Sequence, residues 1–176
     1  KTRSENNFNE EGELKIINFL NFLDKKASKK GGRVLSILGN HEIMNTQGNF
    51  NYSSEANIKN FGGELERLKA FTPGGWLAKE LAKTRFSVLI VNDILFVHGG
   101  ISHALASKYT IPEINNVVKD WLLNKTDKRG EEMFDEIFRA DDDISPFWCR
   151  LYSEEDDEDE NTLQGFNKLI SILNKR

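Results

Sequence analysis

Two short stretches of this chain end an apolar run on glycine and histidine: Leu35-Ser36-Ile37-Leu38-Gly39-Asn40-His41-Glu42 and Ile94-Leu95-Phe96-Val97-His98-Gly99-Gly100. A neutral imidazole and an amide oxygen can both ligate a divalent transition metal, and a further histidine nearby can instead donate a proton to a leaving oxygen. Asn40, His41 and His98 therefore form the strongest chemical constellation in the sequence. As residue types alone, one Asn and two His on two strands fit an ordinary structural role equally well. The glycines favour a site, because Gly39 and Gly99-Gly100 let backbone approach a ligand at points where a plain strand needs no glycine.

Groups that act together need elements that bring them together. Ile16, Phe19, Leu20, Leu23 and Ala27 recur at helical spacing and predict an amphipathic helix from about residue 12 to 29, stopped by Gly31-Gly32. Glu10, Glu11 and Glu13 near its start and Lys25, Lys26, Lys29 and Lys30 near its end complement the helix dipole. Arg33–Leu38 reads as a buried strand that delivers Gly39–Glu42 to its carboxyl end, where open α/β sheets collect ligands. Residues 43–53 read as a loop, with Phe50 and Tyr52 placed to line a substrate entrance or simply to pack. Short helices are expected over Ser54–Asn60, Glu64–Phe71 and Trp76–Lys83, with Thr72-Pro73-Gly74-Gly75 as a breaker. Asn92-Asp93 between Ser87–Val91 and Ile94–Val97 predicts a tight hairpin that runs straight into His98. Thr110 and Glu113 stand at capping-box spacing before the stripe Ile114, Val117, Val118, Trp121 and Leu122. Helices are also expected at Glu131–Phe138 and around Leu163, Phe166, Ile170 and Leu173.

Composition sets the outer limits. The 176 residues, 38% of them hydrophobic, suit a single α/β domain with a real core. The lone Cys149 rules out an internal disulfide and fits a reducing compartment, so the cytoplasm is the expected location. No apolar stretch reaches the roughly 18 residues of a membrane span, and Lys1-Thr2-Arg3-Ser4 is not followed by a signal-type apolar core. Net charge is −4, but residues 141–160 hold ten acids against Arg150, so the acidity is local. Residues 152–161 read as an acidic loop. No basic patch with interleaved aromatics argues for nucleic acid as a partner.

Gly39-Asn40-His41-Glu42 and His98-Gly99-Gly100, in this order, resemble two central motifs of the calcineurin-like metallophosphoesterases of the protein-phosphatase type. The extension to Ile43-Met44-Asn45, the stretch Gly48–Tyr52, Thr72-Pro73-Gly74-Gly75 and Ser145-Pro146-Phe147-Trp148-Cys149-Arg150 are most similar to the Shewanella-like phosphatases, over about residues 12 to 173. The resemblance implies a two-sheet α/β sandwich flanked by helices. It also implies two divalent ions (Mn, Fe or Zn) about 3.5–4 Å apart that activate a bridging water to hydrolyse a phosphate monoester, with phosphoprotein as substrate. By matching motif, Asn40 and His98 would ligate the second metal, His41 would act as general acid, and Arg150 would contact the phosphate through its planar fork.

The sequence also departs from that family. The upstream Asp-x-His and Gly-Asp-x-x-Asp-Arg motifs and the later Gly-His motif are absent, so the chain is expected to be the middle of a longer enzyme. A catalytically inactive phosphatase-like scaffold, and a phosphodiesterase or nucleotide hydrolase on the same fold, are the alternative readings. Elsewhere the plain readings lead: His103 at the exposed start of a helix, Cys149 buried and inert, Trp76 and Trp121 in the core.

Overall fold

The computed structural model describes residues 12–140, 143–153 and 160–173. The acidic run at 154–159 and Asp141-Asp142 lie outside them. In chain order the elements are α1 (Glu13–Ser28), α2 (Asn40–Thr46), α3 (Glu55–Asn60), α4 (Glu64–Phe71), α5 (Trp76–Thr84), β1 (Val88–Val91), β2 (Ile94–Val97), α6 (His103–Lys108), α7 (Ile111–Leu122), α8 (Lys128–Phe138) and α9 (Glu160–Leu173).

The caps follow local chemistry. Thr110 Oγ1 accepts from the Glu113 N–H at 3.3 Å while the Glu113 carboxylate accepts from the Thr110 N–H at 2.7 Å, so the expected capping box forms at the start of α7. Ser54 caps α3, its Oγ accepting from the Asn57 N–H at 3.2 Å. One helix starts earlier than its apolar stripe suggested: α8 begins at Lys128, not Glu131, because the Asp127 carboxylate accepts from the Gly130 N–H at 2.8 Å. The core is built where α5, α7 and α8 face one another, with Leu77, Leu81, Ile114, Val118, Met133 and Ile137 buried. Trp121, Phe134 and Phe138 close it with ring centroids 4.4 to 5.9 Å apart.

Strands β1 and β2 pair antiparallel with Val88 opposite Val97 and Val91 opposite Ile94. Asn92 takes a φ of 53° in the connection, the left-handed conformation that a two-residue hairpin needs. The expected strand over Arg33–Leu38 is corrected to a single parallel bridge between Ile37 and Phe86. The Leu38 N–H donates to the Phe86 carbonyl at 2.8 Å and the Phe86 N–H to the Ser36 carbonyl at 3.0 Å. Because Phe86 leads into β1, the bridge lays this stretch beside the hairpin. Gly39 and His98 therefore leave the sheet at the level of Val88.

Two further expectations are corrected. The segment after Glu42 is not wholly loop, since α2 runs from Asn40 to Thr46. Glu42 caps this helix: its carboxylate accepts from the Gly39 N–H at 2.7 Å. Trp76 is not a core residue. As the first residue of α5 it projects from the helix start, 52% exposed, stacked on Phe61 at 6.3 Å. Trp121 is half-buried against the core and Cys149 is fully buried, as expected.

Candidate active site

Asn40 opens α2 just past the bridge, and His98 directly follows β2. Their side chains meet: His98 Nε2 lies 2.9 Å from Asn40 Oδ1. Gly39 makes room for this approach, because a methyl group there would stand 3.2 Å from His98 Nδ1 and 3.0 Å from the Glu42 carboxylate. Arg150 reaches the same place from the other side. A methyl on Gly99 would stand 2.9 Å from Arg150 Nη1 and 2.8 Å from the Pro146 carbonyl, which accepts from the Gly99 N–H at 3.0 Å. Arg150 Nη1 also donates to its neighbour, the Cys149 carbonyl, at 3.0 Å. The structure thus gathers Asn40, His98 and Arg150, from three distant parts of the chain, at one end of the sheet.

The electrostatics of this cluster favour a neutral imidazole. Partial desolvation pulls the His98 pKa below its ordinary value, and the positive charge of Arg150 pulls the same way, against the opposing Glu42 carboxylate. A neutral ring is the form that ligates a metal. His41, next to Asn40, is exposed, and its ring lies parallel to Tyr52, with centroids 4.9 Å apart and 15° between planes. The two aromatics of the following loop are therefore split: Tyr52 stands 72% exposed beside His41, whereas Phe50 is half-buried beneath the Arg67 guanidinium at 5.5 Å. His103 opens α6 half-buried, not exposed, and faces Gly165 of α9, apart from this cluster.

Asn40 and His98 form an open, solvent-facing pair. Among the described residues no group of three or more His, Cys, Asp or Glu side chains converges as a metal centre, and no helix is long and apolar enough to cross a membrane. Sequence reasoning missed two residues behind the site, Asn45 and Arg67. Arg67 had no signal, since it sits in Glu64-Leu65-Glu66-Arg67-Leu68-Lys69 and looks like one more solvated helix charge. In the structure it is 1% exposed.

A profile of the calcineurin-like phosphoesterases matches residues 7–172. The chain belongs to that family. Calcineurin-like phosphoesterases generally use divalent metals, so a donor pair such as Asn40 and His98 is in keeping with this membership. The chain is 27% identical over 185 residues to Shewanella-like protein phosphatase 2 of Arabidopsis thaliana, covering 81% of this chain and 46% of that protein. It is 41% identical over 103 residues to Shewanella-like protein phosphatase 1 of Plasmodium berghei, covering 57% of this chain and 28% of that protein. A crystallised cold-active protein tyrosine phosphatase superposes with a TM-score of 0.71 at 21% identity, over 93% of this chain and 47% of that one. At that identity the likeness speaks for the metallophosphoesterase fold. The chain spans about half or less of the length of these proteins.

Proposed function

We propose that the protein is a metal-dependent phosphomonoester hydrolase acting on phosphoprotein, with Asn40 and His98 as metal ligands, His41 as general acid and Arg150 as a phosphate contact. The observation that carries this reading is the 2.9 Å approach of Asn40 Oδ1 and His98 Nε2 beside Arg150. Two donors about 2.0–2.1 Å from one ion stand roughly 3 Å apart when they share an edge of its coordination shell. The pair therefore has the donor types and the spacing for a divalent ion, Mn, Fe or Zn. It supplies part of a shell, and a two-metal centre needs further ligands beyond these.

Bound metal would supply a Lewis acid and lower the pKa of a coordinated water. The chain's own residues do the rest. Arg150 offers a planar fork to two phosphate oxygens. Gly99, with no side chain, leaves space for that fork beside His98. Water adds to phosphorus, the P–O bond to the leaving group breaks, and His41 as general acid gives a proton to the departing oxygen, so that inorganic phosphate and a neutral alcohol leave. Likeness to two protein phosphatases supports phosphoprotein as the substrate class.

The test uses the full-length protein. A His41→Asn variant should keep its metal, measured by elemental analysis, and lose about 10²–10⁴-fold in turnover of phenyl phosphate. His98→Ala should lose metal. Unchanged turnover in the first variant removes the acid role, and equal metal occupancy in the second removes the ligand role.

A further inference from the structure

Helix α2 carries Asn40 and His41, yet it is only 7 residues long. So short a helix is not stable on its own and takes its placement from tertiary contacts. Its amino end is held by Glu42. The contacts at its other end converge on one buried amide. Asn45 is 8% exposed, and its Nδ2 donates to the His41 carbonyl at 2.7 Å. Its Oδ1 accepts from Arg67 Nε at 2.8 Å and, more distantly, from Ser53 Oγ at 3.4 Å.

Arg67 is itself immobilised. Its Nη1 and Nη2 donate to the Glu13 carboxylate at the start of α1, and its guanidinium carbon lies 4.8 Å from the centroid of Phe71, 4.9 Å from Phe61 and 5.5 Å from Phe50. A buried charge with a paired carboxylate and three aromatic faces has little freedom to move, so its Nε fixes the Asn45 amide in space. That amide then reaches His41 twice. It holds the His41 carbonyl directly, and through Ser53 it ties down the loop whose next residue back, Tyr52, stacks on the imidazole.

We propose that Asn45, oriented by Arg67, is a positioning residue for the general acid: it fixes both the main chain of His41 and the ring that stacks on its side chain. The proposal rests on the reading of His41 as the acid. It adds an orienting device made from this chain's own residues.

A misplaced acid and a weakened fold leave different kinetic traces. Protonating the leaving oxygen matters more as that oxygen becomes more basic, so imperfect placement costs most with the poorer leaving group. A fold defect removes active molecules and lowers all substrates alike.

Two variants of the full-length protein test this with p-nitrophenyl phosphate and phenyl phosphate. Asn45→Asp keeps the acceptor that Arg67 and Ser53 use and puts a carboxylate oxygen, which cannot donate, where the N–H holds the His41 carbonyl. Tyr52→Leu removes the stacked ring at an exposed position, where folding is not at stake. Both should leave kcat for p-nitrophenyl phosphate within about threefold and lower kcat for phenyl phosphate about 10- to 100-fold, with KM unchanged. His41→Asn is the reference and should show the same bias more strongly. Equal losses on the two substrates in Asn45→Asp, or no loss in either variant, overturn the positioning role. If His41→Asn shows no leaving-group bias, the acid reading itself falls and the proposal falls with it.

Discussion

The junction between β2 and the segment ending at Arg150 is held at a spacing that only glycine allows at position 99, and Gly99→Ala probes it directly. A methyl group there would meet the Pro146 carbonyl at 2.8 Å, the Phe147 carbonyl carbon at 2.9 Å and Arg150 Nη1 at 2.9 Å. Two of the three are backbone, and the Pro146 oxygen also accepts the Gly99 N–H at 3.0 Å. Relief to an ordinary contact of 3.4 Å therefore requires the strand and the 146–150 segment to part by roughly 0.6 Å. Overpacking of this kind costs about 1–3 kcal/mol, and loss of the hydrogen bond adds about 1 kcal/mol. At about 2–4 °C per kcal/mol for a domain of this size, the midpoint should fall by about 4–16 °C. The same displacement moves Arg150 away from His98, and turnover should drop by about 10- to 100-fold. Gly100→Ala is the control. Its methyl would first meet Cys149 Sγ at 3.1 Å, a side-chain atom that can give by a few tenths of an ångström. Thermal unfolding and phosphatase turnover, compared between the two variants, decide the matter. If Gly99→Ala melts and turns over like Gly100→Ala, the steric account of this junction is wrong.

Two further outcomes are expected. Gly75→Ala should be the more damaging change to the fold and should largely abolish soluble protein, because its methyl would stand 2.4 to 2.8 Å from the carbonyls of Lys69, Ala70 and Thr72, all backbone; normal yield and melting would refute this. Burial pushes the Cys149 thiol above its ordinary pKa, so the folded state favours the neutral thiol. The stability this lends is intact below the unfolded thiol's pKa and is lost as pH rises through the folded value; Cys149→Ser should therefore flatten the alkaline limb of a melting-temperature profile, and an unchanged limb would refute the linkage.

What could be read from the sequence was what depends on neighbours in the chain. The helix α1, the stripe of α7, the Thr110–Glu113 box and the Asn92-Asp93 turn were all legible, because helix period, caps and positive φ are local properties; the face that α1 buries was not, since Ile16 and Phe19 of the expected stripe are exposed and Leu14 is buried instead. The ordered motifs around Asn40, His41, His98 and Arg150 likewise pointed to a phosphoesterase. Helix α2 was missed because its cap is a glycine with no side-chain signal, completed from Glu42. Trp76 was misplaced because burial depends on what a neighbouring element covers.

Sequence by itself determined the residue types of the site and the elements that end on them. Only the tertiary structure decided that a single bridge at Ile37 and Phe86 brings Gly39 level with His98, and that Arg150 reaches Gly99. It alone decided that Arg67, one charge among many on a polar helix, lies buried behind His41. The physical reason is that these contacts join residues 22 to 58 positions apart, and no local preference of either partner encodes the distance between them.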